Sequence, residues 1–228
     1  MYRSMLLLHW KQINIPLIPL ILAAYALPLL SVQGLGTPPG MDSSTLEAYR
    51  IVAGAQIWLP VFPLLAAVIG VTLALSAWNW DHQLGHVHAL SLPVPRWRYA
   101  LLKMGAGATL ALLPAAGLWM GAHVATSFVD LPTGLNAYPD QLALRFLAAT
   151  LVAYGLLFAM AAGTVKTTVW IISGVIGFFI LGNLVTDFLV GYFPVLYRTN
   201  LLELVLEALI RAPGPLQVFT GNWMLIDV

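Results

Sequence analysis

WDHQLGHVHALSLPVPRWRYALLK, Trp80–Lys103, is a polar and partly basic island between two long apolar runs. It holds three of the chain's ten Lys and Arg residues and three of its five His residues. Read as a water-facing connection, it makes the runs on either side membrane spans. The composition agrees. Of the 228 residues, 60% are hydrophobic and only 8% charged, and the mean hydropathy is +0.87. Soluble domains carry roughly 25% charged residues, so a chain this poor in charge cannot cover a water-facing surface. The fold class expected is an all-α integral membrane protein, one transmembrane domain over residues 1–228. A net charge of +1 with no basic patch among aromatics gives no reason to expect nucleic acid. The absence of Cys removes disulfides, thiolate metal sites and Cys nucleophiles.

A spanning helix needs about 20 mainly apolar residues. Five runs qualify, near Ile13–Val32, within Ile51–Ala77, and near Met104–Phe128, Phe146–Thr164 and Thr168–Thr186. None contains Lys, Arg, Asp or Glu, so each can close its backbone hydrogen bonds without burying a charge. Pro60 and Pro63 make the second run the one expected to bend, as a plain kink or as a hinge. Ahead of the first run, MYRSMLLLHWKQIN lacks the length and cleavage site of a signal peptide. It reads as an amphipathic interfacial segment with Tyr2 and Trp10 at headgroup depth. Past the fifth run, LLELVLEALI places Glu203 and Glu207 four apart, the pattern of a second amphipathic helix too short and acidic to span.

The positive-inside rule sets the orientation. With the amino terminus in the cytoplasm, the inner segments hold Arg3, Lys11, Arg96, Arg98, Lys103 and Lys166. The outer ones hold Arg50, Arg145, Arg198 and Arg211. Asp81 is then the only acid inside, and the loop 78–103 is cytoplasmic. Five spans leave the carboxyl terminus on the other side.

Motifs for catalysis in this chain are missing. There is no GxxxxGK[ST] phosphate loop, no HExxH and no GxSxG. GAGATL, Gly105–Leu110, reads as small-residue helix packing. His82 and His86 share a helical face at i, i+4, but a third metal ligand would have to be Asp81 or His88, and neither shares that face well. Ordinary polar helix surface accounts for them better. His123 lies inside a span without a second histidine at matching depth, which disfavours a haem-bearing anchor. It is expected to be a satisfied polar residue near the outer end of its helix. Asp187, with Asn183 nearby in GNLVTDF, is either a helix-end acid at the interface or an intramembrane functional group. These two are the candidates for touching a substrate.

The island has a physical grammar of its own. Gly85–Leu92 can form a short helix whose apolar side carries Val87, Leu90 and Leu92. Pro93 and Pro95 end it, and Arg96, Arg98 and Lys103 then sit where a basic belt meets anionic headgroups. A short helix below two spans can serve as a docking knob for a soluble partner. The alternative is a plain loop with positive-inside charges.

In this stretch the chain resembles the ABC-2 type permeases, the membrane subunits of one class of ABC transporter. Their loop after the second span runs roughly Glu, several residues, Gly-Thr, Leu, Leu-Pro-Val-Ser-Arg, then a Lys opening the third span. Asp81 matches the acid and Gly85 the glycine. Leu90, Leu92, Pro93, Val94, Arg96 and Lys103 match the rest, with His86 where Thr is common and Pro95 where Ser is common. The resemblance implies that Asp81, Gly85, His86, Val87, Leu90, Leu92, Pro93 and Arg96 belong to a coupling helix docking into an ATPase subunit. It also implies two copies of that ATPase, which bind ATP and Mg while this chain holds no cofactor, and a second permease copy or a related one. The implied activity is movement, by export, of an apolar or amphipathic substrate across a bacterial cytoplasmic membrane, with membrane lipids as further partners. The family pattern has a sixth span. The sequence stops at Asp227–Val228, about where that helix would begin, so either it is truncated or this member lacks the helix. The rival readings are a haem-export permease of the cytochrome c maturation type and a non-transporting anchor that recruits a soluble protein.

Overall fold

A computed structural model of the chain describes residues 2–32, 58–83, 95–128, 135–163, 169–170, 173–174, 177, 181, 214–221 and 223–227. The described elements are α1 (Tyr2–Val32), α2 (Val61–Gln83), α3 (Arg96–Leu110), α4 (Leu112–Ser127), β1 (Asn136–Ala137), α5 (Pro139–Ala161), a 3-10 helix (Pro215–Phe219) and β2 (Ile226–Asp227). Among the described residues, four helical stretches are long and apolar enough to cross a membrane: α1, α2, α3 with α4, and α5. That makes the chain a membrane protein. The chain divides into two compact units. The first comprises Met1–Phe158 and Asn222–Val228, and the second Ala159–Gly221.

Apolar side chains explain the membrane reading as well as helix length does. Ile15, Leu22, Leu64 and Leu144 are all more than 60% exposed on the outer faces of their helices. Large apolar side chains turned outward to this degree suit lipid better than water. Without a hydrophobic force between helices in lipid, packing depends on close backbone approach at small residues. Three such approaches build the first unit. Gly117 and Gly121 on α4 lie against the backbone carbonyls of Ile21 and Tyr25 on α1. Residues four apart on one helix thus meet residues four apart on the other, so the two run side by side in the same direction. Gly70 on α2 faces α5, where an added Cβ would stand 2.6 Å from that of Ala153 and 2.8 Å from the Thr150 carbonyl oxygen. Gly107 on α3 accommodates the Tyr154 ring of α5. The GAGATL segment therefore packs as its composition predicts.

The contacts also fix direction. The first turns of α1 meet the last turns of α2, with His9 Nε2 and Ser76 Oγ 3.1 Å apart. The end of α2 meets the start of α3. Further along, α2 and α5 share one direction, since Gly70 meets Ala153 and Trp78 meets Phe158. One end of the bundle accordingly gathers the start of α1, the end of α2 and the start of α3. The opposite end carries the end of α4, the start of α5 and β1 paired antiparallel with β2, Asn136 opposite Asp227 and Ala137 opposite Ile226.

Several boundaries depart from those read in the sequence. The amino-terminal segment and the first span are one continuous helix of 31 residues, with Pro16, Pro19 and Pro28 inside it. Pro60 and Pro63 fall just before and within the first turn of α2, where a residue needs no intrahelical donor, and the part of the second run ahead of Trp58 lies outside the described residues. The third span begins at Arg96 rather than Met104. It is interrupted at Ala111, because Pro114 has no N–H to offer the Leu110 carbonyl. The fourth begins at Pro139 rather than Phe146, with the proline at a helix start, where it is tolerated. Of the fifth run, Val169, Trp170, Ser173, Gly174, Gly177 and Leu181 are described, all helical. The rest of that run and the amphipathic stretch 201–210 lie outside the described residues.

Candidate functional site

The island is narrower than its hydropathy predicts. Helix α2 continues through Gln83 and α3 starts at Arg96, so Trp78–Gln83 and Arg96–Lys103 are helical. Gly85, His86, Val87, Leu90, Leu92 and Pro93 lie outside the described residues, as do Asn183 and Asp187. Asp81 and Arg96 are described, and their surroundings differ sharply.

Asp81 is 0% exposed. Its carboxylate accepts the Tyr99 hydroxyl, which is 3.0 Å from both oxygens, and Oδ2 lies 2.5 Å from the Lys103 ammonium. Helix spacing produces this meeting. Tyr99 and Lys103 stand at i, i+4 on one face of α3, and Trp78 and Asp81 at i, i+3 on one face of α2. Trp78 completes the enclosure, with the Lys103 ammonium 4.5 Å from its ring centroid. An ammonium over an aromatic face is attracted by the ring quadrupole, more strongly where water is excluded. Lys103 is only 9% exposed. It does not sit in a headgroup belt, because Asp81 supplies the countercharge that lets it enter the bundle. Arg96 and Arg98, by contrast, are exposed, as are Arg3 and Lys11 on α1.

Helix α5 is tied to both sides of this pair. The Trp78 indole N–H donates to the Phe158 carbonyl at 3.1 Å, and the Tyr154 hydroxyl donates to the Met104 carbonyl at 3.1 Å. Tyr154 and Phe158 continue the aromatic packing, with ring centroids 5.5 Å apart. From α1, His9 enters at 4% exposure. The Ser76 hydroxyl donates its one proton to the Leu73 carbonyl at 2.9 Å. His9 Nε2 must then be the donor to Ser76, which leaves Nδ1 as a buried acceptor with no hydrogen-bond partner among the described residues. Next to these groups is a cavity of about 40 Å³, lined by polar and apolar residues of α1, α2 and α3, Gln12 and Met5 among them. A polar space of this size has room for water.

In the sequence, Asp81 and Lys103 stand apart, nothing singles out Tyr99 and Trp78, and His9 lies at the wrong level to pair with His123 across a haem. The i, i+3 and i, i+4 spacings either side of the island were the available signal. Among the described residues no group of three metal ligands gathers, and His86 and His88 lie outside them. His123 does find a partner, at the far end of the bundle. Its Nε2 lies 3.1 Å from Asp140 Oδ1, which also accepts the Trp119 indole N–H at 2.7 Å. Asp140 is in the first turn of α5, where a carboxylate is favoured by the exposed N–H groups. Beyond it the segment Trp223–Asp227 is docked onto the first unit. Trp223 is 2% exposed beneath the Arg145 guanidinium, and the Tyr138 N–H donates to the Leu225 carbonyl at 2.9 Å. No protein-family model matches the chain, and no curated protein or solved structure matches it either.

Proposed function

We propose that the chain is the permease subunit of an ABC-2 type transporter, which exports an apolar or amphipathic substrate through the work of a separate ATPase. Residues 84–94 are the docking element. On this reading the amino terminus and the Asp81–Lys103 end face the cytoplasm of a bacterial cell, a fifth span occupies Thr168–Thr186, and a second permease copy and two ATPase subunits complete the assembly. The observation that carries the reading is the joined base of the docking segment. Its two flanking helices are held together by a buried ion pair, at the bundle end where Arg3, Lys11, Arg96 and Arg98 are exposed. Among the described residues the opposite end carries one Lys or Arg, Arg145, and this asymmetry supports the cytoplasmic assignment.

ATP binding would close the ATPase dimer and move the docked segment. The transported state must be favoured by contacts that differ between the two arrangements. Asp81 takes part from inside the bundle and Arg96 from its surface. The test is purification in mild detergent followed by reconstitution. An ATPase should copurify, and Gly85→Asp with Leu90→Asp should leave hydrolysis running while transport falls at least tenfold. Unchanged transport in that variant, or a stable complex without any nucleotide-binding partner, would overturn the reading and leave the anchor in its place.

A further inference from the structure

We infer that Asp81, Tyr99 and Lys103 form a buried strut that makes the end of α2 and the start of α3 move as one body beneath residues 84–94. For its use in transport this rests on the permease reading, since only a driven segment has motion to pass on. The geometry stands without it.

A buried ion pair is a poor device for stability alone. The desolvation of both charges offsets most of their attraction, and apolar side chains of similar size often do as well. What the pair supplies is a single allowed register. Asp81 is satisfied only where two donors from successive turns of α3 reach it together, Tyr99 on both oxygens and Lys103 on Oδ2. One donor would fix the distance between the helices. Two, a turn apart, also fix their rotation and their height. With the charges buried, a slip by one residue strands an unpaired carboxylate or ammonium in the bundle.

The strut extends to a third helix. Trp78 ties its α2 side to Phe158, and Tyr154 ties its α3 side to the Met104 carbonyl. A movement passed to the end of α2 or the start of α3 is therefore not confined to one helix. It reaches α2, α3 and α5 together. Asp81, Tyr99 and Lys103 are positioning residues. They act from inside the bundle, Asp81 0% and Lys103 9% exposed.

The test uses the full chain in lipid nanodiscs. The sequence has no Cys, so Gln83→Cys and Arg96→Cys, both at exposed positions on either side of the segment, take spin labels cleanly. With the strut intact, the label-to-label distance distribution should be single and narrow, and Lys103→Arg should keep it so. Asp81→Asn should broaden it. The deciding variant is the apolar pair, Asp81→Leu with Lys103→Met. If the pair serves packing only, this variant keeps both the melting temperature and the narrow distribution. The strut predicts a recovered melting temperature with a distribution at least twice as broad, and a narrow one overturns it. Where the copurified ATPase is present, the apolar pair should lower the substrate moved per ATP hydrolysed at least tenfold. If the unmodified chain brings down no ATPase, the permease reading falls, and the distance measurement still decides the strut.

Discussion

Lys103 lies 2.5 Å from Asp81 across a separation of 22 residues, and the two side chains are only 11% and 1% exposed. Breaking such a pair from one side leaves a buried charge without compensation, at a cost of about 3–5 kcal/mol. Asp81→Leu alone should therefore lower the melting temperature steeply, as read by the chain's own tryptophan fluorescence in detergent. Adding Lys103→Met should recover most of the loss. A double variant as unstable as the single one would mean that the pair contributes net stability after all.

The two helices that run in parallel depend on bare backbone. A Cβ on Gly121 would collide with the Tyr25 carbonyl oxygen, while one on Gly155 meets nothing within 4 Å. Gly121→Leu should separate α1 from α4 and shift the protein toward aggregates on size-exclusion chromatography. Gly155→Ala should be neutral or stabilising by up to about 1 kcal/mol, the usual gain of Ala over Gly within a helix. Equal behaviour of the two variants would show that close approach at Gly121 is dispensable.

These glycines mark how far the sequence could be read. Apolar runs of sufficient length gave four of the membrane-crossing helices, because lipid demands uninterrupted hydropathy and the chain supplies it. Their ends were missed, since a hydropathy window counts Asp81 and Lys103 as two charges and cannot see that they cancel. The partner of His123 was hidden for a related reason. Asp140 belongs to a stretch read as loop, and only Pro139 opening α5 brings it beside α4. Gly117 and Gly121 stand in plain i, i+4 spacing, yet nothing local says which helix they meet. The residues matched to a coupling helix remain, apart from Asp81 and Arg96, outside the described part of the chain.

Tyr154 gives a smaller and cleaner test. Its hydroxyl spends its proton on the Met104 carbonyl at 3.1 Å, within a ring packed against Gly107. Tyr154→Phe keeps the ring and removes the bond, so a loss of about 0.5–1.5 kcal/mol is expected. Gly107→Val, which attacks the ring's seat, should cost clearly more in the same melting assay. The reverse ranking would place the weight of this contact on the hydroxyl.

At the far end, Trp223 is among the largest fully buried side chains of the chain. Truncating a buried aromatic of this size costs about 3–5 kcal/mol. Trp223→Ala should therefore free the segment after residue 222 and make it an early site of limited proteolysis. Arg145→Ala removes only the cover over the indole and should have a milder effect. Resistance of Trp223→Ala to protease would show that the β1–β2 pairing holds the segment without the tryptophan.

Docking of that segment gives the second unit a particular standing in the chain. Ala159–Gly221 is an insertion fastened at both ends, leaving the first unit through α5 and rejoining it at Asn222. Seating Trp223 beneath Arg145 closes a long stretch of chain, and the conformational entropy that this closure costs is given back when Trp223 is unseated.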